Sequence, residues 1–296
     1  MRNENLPYGV NPDRMYAQKY IEMLNKFCSY KSNEKRLICS YPLAGYKYES
    51  ELLVIGREAS WWPERFTIHE LNVKGAEYIY HTKARLPGAY AVRKVCPMNF
   101  VPDLWGDTKE RRFYNTRYRT DSDPFWYCAK EVVEGLNICQ DKKEWASYLS
   151  FTNLYKVVYG AHQRLYEKPR LMQLELCKEL LKLEIYMGQP KRILFLTGMK
   201  FAKDFLNLPE GIGMDGNIVS LGKFDYGVHM ADTVVSVNPR KFKKEELVST
   251  ILKGFARSAE VGNSEWSEYR ACELADAHAG RRMFCSKFIG GNIGID

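Results

Sequence analysis

The stretch Glu51-Leu52-Leu53-Val54-Ile55-Gly56-Arg57-Glu58-Ala59-Ser60 constrains this chain most. Its aliphatic run reads as a short apolar strand that leads into a loop. The glycine and carboxylate that follow place an acid where open α/β sheets keep their ligands, at the carboxyl end of a strand. Two later segments have the same build with different polar endings, Leu149-Ser150-Phe151-Thr152-Asn153-Leu154-Tyr155-Lys156 and Thr233-Val234-Val235-Ser236-Val237-Asn238-Pro239-Arg240. If these strands run parallel, Glu58, Asn153 and Asn238 converge on one rim.

Helical patterns alternate with these strands. Asn11-Pro12-Asp13 opens a helix in which Met15, Tyr16, Tyr20, Met23, Leu24 and Phe27 share a face. Leu52 to Ile55 reads as the first strand. Residues 72–122 are irregular, punctuated by Pro87, Gly88, Pro97, Pro102 and Gly106, and read as an insertion. Asp123-Pro124 caps a helix running to about Leu136. Pro169 to Met187 reads as a Leu-rich helix that Gly188 ends, and Pro190 to Gly198 contains a strand covered on both faces. Lys200 to Leu206 is a short helix, Val219 to Leu221 an edge strand, and Lys243 to Ser258 a further helix. The pattern predicts a three-layer α/β/α sandwich with a mostly parallel central sheet. One domain is expected over 1–262, with the insertion at about 72–122, and a C-terminal extension over 263–296. No Gly-x-Gly-x-x-Gly or Walker pattern follows a strand, which argues against dinucleotide or nucleoside triphosphate use.

A net charge of +8 favours a polyanionic partner. The charge is clustered: Lys109 with Arg111 and Arg112, Arg117 with Arg119, Arg240 with Lys241, Lys243 and Lys244, and Arg281 with Arg282. Aromatic residues among the arginines in Phe113-Tyr114-Asn115-Thr116-Arg117-Tyr118-Arg119 suit stacking on bases beside backbone phosphates. A solvated face with half-buried tyrosines accounts for the same residues. The eight cysteines include no Cys-x-x-Cys pair, and the five histidines no His-Glu-x-x-His, so reduced structural thiols and no metal site are expected. No apolar run approaches the roughly 20 residues of a membrane span, and the amino terminus lacks an apolar signal core. These features predict a cytoplasmic protein with no obligatory protein partner.

The order of segments resembles the uracil-DNA glycosylase superfamily over roughly residues 50 to 256. Ile55-Gly56-Arg57-Glu58 matches the strand-ending first motif, with Glu58 at the acid position. Thr152-Asn153-Leu154 looks like the strand end whose asparagine reads the base. The helix at Cys177-Lys178-Glu179-Leu180-Leu181 and the strand from Pro190 to Gly198 follow in the family's order, and Asn238-Pro239-Arg240 is similar to its final motif. The resemblance implies a DNA glycosylase that excises a pyrimidine without cofactor or metal. Glu58 and Asn238 would be catalytic. Gly56, Arg57, Ser60, Phe66 and Asn153 would contact the base, and Arg240, Lys241 and Lys244 the DNA phosphates.

This chain departs from the family at Ala59, where a proline is common, and at Arg240, where a serine is usual. Ser60 stands where strict uracil enzymes carry a tyrosine that excludes pyrimidine C5 substituents. With the long insertion, that serine points to a bulkier base such as a hydroxymethylated or glucosylated cytosine of phage DNA. An ordinary uracil-DNA glycosylase, a non-catalytic nucleic-acid-binding protein of the same fold and a small-molecule nucleoside hydrolase are the alternatives. Each residue also has a purely structural use. Glu58 could cap or form a salt bridge, Asn153 could cap the next segment, and Asn238 before Pro239 could make a turn. Phe66, with Trp61 and Trp62 as rivals, could be a core aromatic, and the Arg240 to Lys244 run a solvated helix start.

Overall fold

A computed structural model describes residues 11–29, 36–58, 65–84, 98, 101, 119–159, 166–206, 208 and 217–260, without the side chains of 241 and 258–260. Ala59, Ser60, Trp61, Trp62, the basic clusters at 109–112 and 281–282, Arg117 and the extension over 263–296 lie outside the described residues.

Helix α1 (Pro12–Cys28) starts where Asn11 accepts hydrogen bonds from the Asp13 and Arg14 N–H groups, with Pro12 in the first turn. It buries Tyr16, Tyr20, Met23, Leu24 and Phe27, the face its spacing predicts. Three strands follow: β1 (Arg36–Cys39), β2 (Leu43–Ala44) and β3 (Leu52–Glu58). Leu52 to Ile55 is therefore not the first strand: two short ones precede it. After β3 come β4 (Arg65–Thr67), α2 (Ile68–Lys74), α3 (Ala76–Ile79) and a π-helical turn (Tyr80–Ala84). The described start of the expected insertion is thus helical, and Leu71, Ile79 and Tyr80 pack into the core beside α1.

Helix α4 (Pro124–Gly135) is capped by Asp123, and a 3-10 segment (Lys142–Tyr148) leads into β5 (Ser150–Tyr155) and β6 (Val157–Tyr159). Helix α5 (Glu167–Gly188) ends differently from the sequence reading. Gly188 is its last helical residue, and Gln189 takes the left-handed cap at φ 43°, its N–H bonding the Ile185 carbonyl. Then follow β7 (Arg192–Phe195), α6 (Met199–Leu206), β8 (Ile218–Asp225), β9 (Met230–Ser236), a 3-10 turn (Pro239–Lys241) and α7 (Lys244–Glu260).

The central sheet has the order β2-β5-β3-β7-β9-β8. The inner strands β5, β3, β7 and β9 are parallel, while β2 and β8 pair antiparallel at the two edges, so the sheet is mixed. A second sheet, β4-β1-β6, is wholly antiparallel. Period-two alternation divides the inner strands between two layers. Leu53 and Ile55 of β3 join Ile193 and Phe195 of β7 against α1 and α5, whereas Leu52, Val54 and Leu194 face α4 and α7. Each fully buried Leu or Ile of these faces stabilises the fold by roughly 1.5–3 kcal/mol. From β3 the chain reaches β5 by way of α4 on one face, then returns past β3 to β7 by way of α5 on the other. The carboxyl ends beside β3 therefore lie at a reversal of strand order, where open α/β sheets form a crevice.

Candidate functional site at the strand ends

The four parallel strands bring the predicted polar residues to one edge. Gly56 pairs with Asn153 and Glu58 with Tyr155 across β3 and β5. Asn238 follows β9, two strands from β3, or roughly 10 Å across the sheet. Glu58 departs from expectation in one respect: β3 continues through it, so the acid is held by strand pairing and not carried on a loop.

The Glu58 side chain is 4% exposed, and its Oε1 accepts from the Arg57 guanidinium. Arg57 is 35% exposed and lies over the Phe201 ring of α6, 5.0 Å from the centroid. The carboxylate is thus largely covered, and a partly exposed cation compensates its charge. Pairing with β7 ends at Ile55. Alternation turns the Arg57 N–H toward β7, so this donor opens on the gap beyond that strand.

Asn153 is buried. Its Oδ1 sits against Gly56 so closely that a Cβ there would lie 2.6 Å from it, with Phe125 and Phe151 on the flanks at 3.4 Å. Glycine is required here because the amide occupies the space a side chain would take. The hydrogen bond that Asn153 makes through its backbone carbonyl goes to Lys156 Nζ, and the side-chain amide projects beside Gly56.

Asn238 turns the chain just past the end of β9. Its Oδ1 accepts from the Arg240 N–H and starts the 3-10 turn, and its backbone nitrogen lies near Gly198 at the end of β7. With the oxygen used as a cap, the amide nitrogen is left as a donor. The turn and site readings of Asn238 are therefore compatible.

Tyr155 and Phe201 are site residues that no sequence pattern singles out. The Tyr155 ring contacts Phe201 and Phe205 edge-on, and its hydroxyl donates to Asp204, which Arg170 also holds at 2.8 Å. Burial, reinforced by the Asp204 charge, holds the Tyr155 phenol well above its ordinary range, so it stands at the rim as a neutral wall. Its position one strand from Glu58 depends on pairing that no local pattern reveals.

Phe66 is a correction. It pairs with Leu37 in the three-stranded sheet and is 1% exposed in the core, so it does not stand with the rim residues. Arg240 is exposed and reaches Asp123 at the start of α4 at 3.5 Å, and Lys244 lies over the Tyr127 ring of the same helix. Phe242, also exposed, stands between these two cations in sequence, giving an aromatic and cationic edge beside Asn238. The side chain of Lys241 lies outside the described residues.

Burial pushes the thiols of Cys128 and Cys177 up to about 12, which makes both poor nucleophiles. The described cysteines form no disulfide with one another, and no group of His, Cys, Asp and Glu able to hold a metal occurs among the described residues. No described helix is long and apolar enough to cross a membrane. No protein-family model and no curated protein matches this chain.

Proposed function

We propose that this protein is a monofunctional DNA glycosylase that flips a pyrimidine nucleotide into the rim of the central sheet and hydrolyses its N-glycosidic bond. One observation carries the reading: a largely covered carboxylate, Glu58, ends the central strand beside the strand that carries Asn153, whose amide packs against Gly56 in the same pair of strands. Bond cleavage leaves the electron pair on the base and an oxocarbenium-like sugar. Glu58 stabilises that sugar and orients the water whose oxygen joins C1′, and the proton that this water loses passes by way of the carboxylate to the departed base. The departing base carries charge on its oxygen, which the Asn238 amide and the Arg57 N–H stabilise as donors. Asn153 offers both donor and acceptor to the pyrimidine edge.

The preferred base is a C5-substituted cytosine, hydroxymethylated or glucosylated, on the ground of Ser60 and the long insertion, both sequence features. Duplex and single-stranded DNAs carrying uracil or these cytosines, incubated with the protein and then cleaved with alkali at abasic sites, test the whole reading. Strand breaks at the modified cytosine are expected. Tight DNA binding with no break on any substrate would instead establish the non-catalytic alternative, which the Arg57–Glu58 ion pair also suits.

Two variants probe separate parts. Gly56→Ala should turn the Asn153 amide away, because the new methyl meets the end of a side chain and not backbone. Base release should fall about 100-fold, the scale of an ångström-sized misplacement, with little change in thermal melting. An unchanged rate would remove Asn153 from the site. Neutralising Arg240, Lys241 and Lys244 together should weaken DNA binding and lower the slope of log K against log salt by up to about 3, near one for each phosphate no longer neutralised. An unchanged slope would return this run to solvent.

A further inference from the structure

A fully buried lysine lies three residues after Asn153. Between β5 and β6 the chain must leave the six-stranded sheet and enter the three-stranded one, and Lys156 occupies that step. Its backbone is held from outside the strands: the N–H donates to Gln173 Oε1 at 3.0 Å and the carbonyl accepts from Ser40 N at 2.9 Å. Its side chain turns back into the protein. Nζ lies 2.8 Å from Thr152 Oγ1, 2.6 Å from the Asn153 carbonyl and 2.7 Å from Glu184, whose carboxylate also accepts from Tyr16 at 2.7 Å. An ammonium has three protons, and these three acceptors use all of them.

Burying a charged pair in this way is costly, and an apolar pair of similar size often serves stability as well. The interactions that an apolar pair could not reproduce are those with the Thr152 hydroxyl and, shorter still, the Asn153 carbonyl. Asn153 lies inside β5, two residues before its end and in register with Gly56, and its carbonyl is tied within its own strand to the ion pair. We infer that Lys156, through Glu184 and Tyr16, is a positioning residue that fixes the Asn153 amide for base recognition, an inference that rests on the glycosylase reading of the same site. Lys156 touches no substrate. Gly56 leaves room for the amide on one side, and Lys156 locks the backbone from which it projects.

The test pairs Lys156→Met with Glu184→Gln, which removes both charges while the new carboxamide still accepts from Tyr16. The double variant should fold, bind DNA with the wild-type salt dependence, and lose about tenfold or more of its preference for the favoured base. Adding Asn153→Ala to it should cost no further discrimination, because residues that act as one unit are not additive. Independent, multiplying losses or retained discrimination would overturn the inference. A second readout does not need catalysis: the side-chain amide signals of Asn153 in the nitrogen-15 spectrum, assigned by their loss in Asn153→Ala. These signals should be distinct in the wild type and broadened or shifted toward free-amide positions in the double variant. Unmoved signals would overturn the inference even if no DNA were cleaved, whereas moved signals in a protein inactive on every DNA would defeat the glycosylase reading alone.

Discussion

Glu58→Gln should lower the single-turnover rate of base release by about 1,000-fold, or about 4 kcal/mol of transition-state stabilisation, with DNA affinity retained. The substitution keeps size and hydrogen-bonding shape and removes only the charge that opposes the oxocarbenium ion. On the proposed reading DNA binding should survive, because the phosphates would be held by Arg240 and Lys244, which meet Asp123 and Tyr127 and not Glu58. Folding should survive as well. Arg57 loses its ion-pair partner, but its side chain is 35% exposed and stacked on Phe201, so water can solvate what the carboxylate leaves. Full activity in this variant would exclude Glu58 from the chemistry. Loss of binding along with release would make the Arg57–Glu58 pair part of the DNA-binding surface.

The rim is readable from sequence because its residues close short apolar runs, and parallel strands of similar length must end on the same side. That logic places Glu58, Asn153 and Asn238 at one edge without knowledge of strand order. It cannot give neighbours. The position of β3 between β5 and β7, and so the adjacency of Asn153 to Gly56, is a non-local fact set by crossovers on opposite faces. The three-stranded sheet is invisible for a different reason. Its strands β1, β4 and β6 have only three or four residues each, too few for a period-two signal, and β6 merges in sequence with β5. The expectation for Phe66 fails accordingly, since an aromatic residue a few positions beyond the acid suits the rim only if no strand intervenes. A clue to the merged strands is present: Lys156 interrupts the otherwise apolar Leu154-Tyr155-Lys156-Val157-Val158-Tyr159. A charge inside so apolar a run signals either an edge or a buried partner, and Glu184 proves to be that partner.

Lys156→Met alone should be strongly destabilising, although the residue lies between strands and not within one. It leaves the Glu184 carboxylate, whose side chain is 3% exposed, inside the protein with Tyr16 as its remaining donor. Removing one member of a buried ion pair costs about 3–5 kcal/mol, because the surviving charge keeps its desolvation penalty and loses its compensation. For a domain of this size that corresponds to a fall in Tm of roughly 6–20 °C. Thermal melting followed by circular dichroism measures it directly. Adding Glu184→Gln should restore most of the loss, since no charge then remains to be solvated and Tyr16 keeps an acceptor. Recovery in the double variant separates the stabilising role of charge balance from the positioning role of the ammonium: stability returns with the second substitution, and the hold on the Asn153 carbonyl does not. A Lys156→Met protein that melts as the wild type does would mean that water reaches Glu184, and with it that the ion pair is too loosely held to fix the strand end.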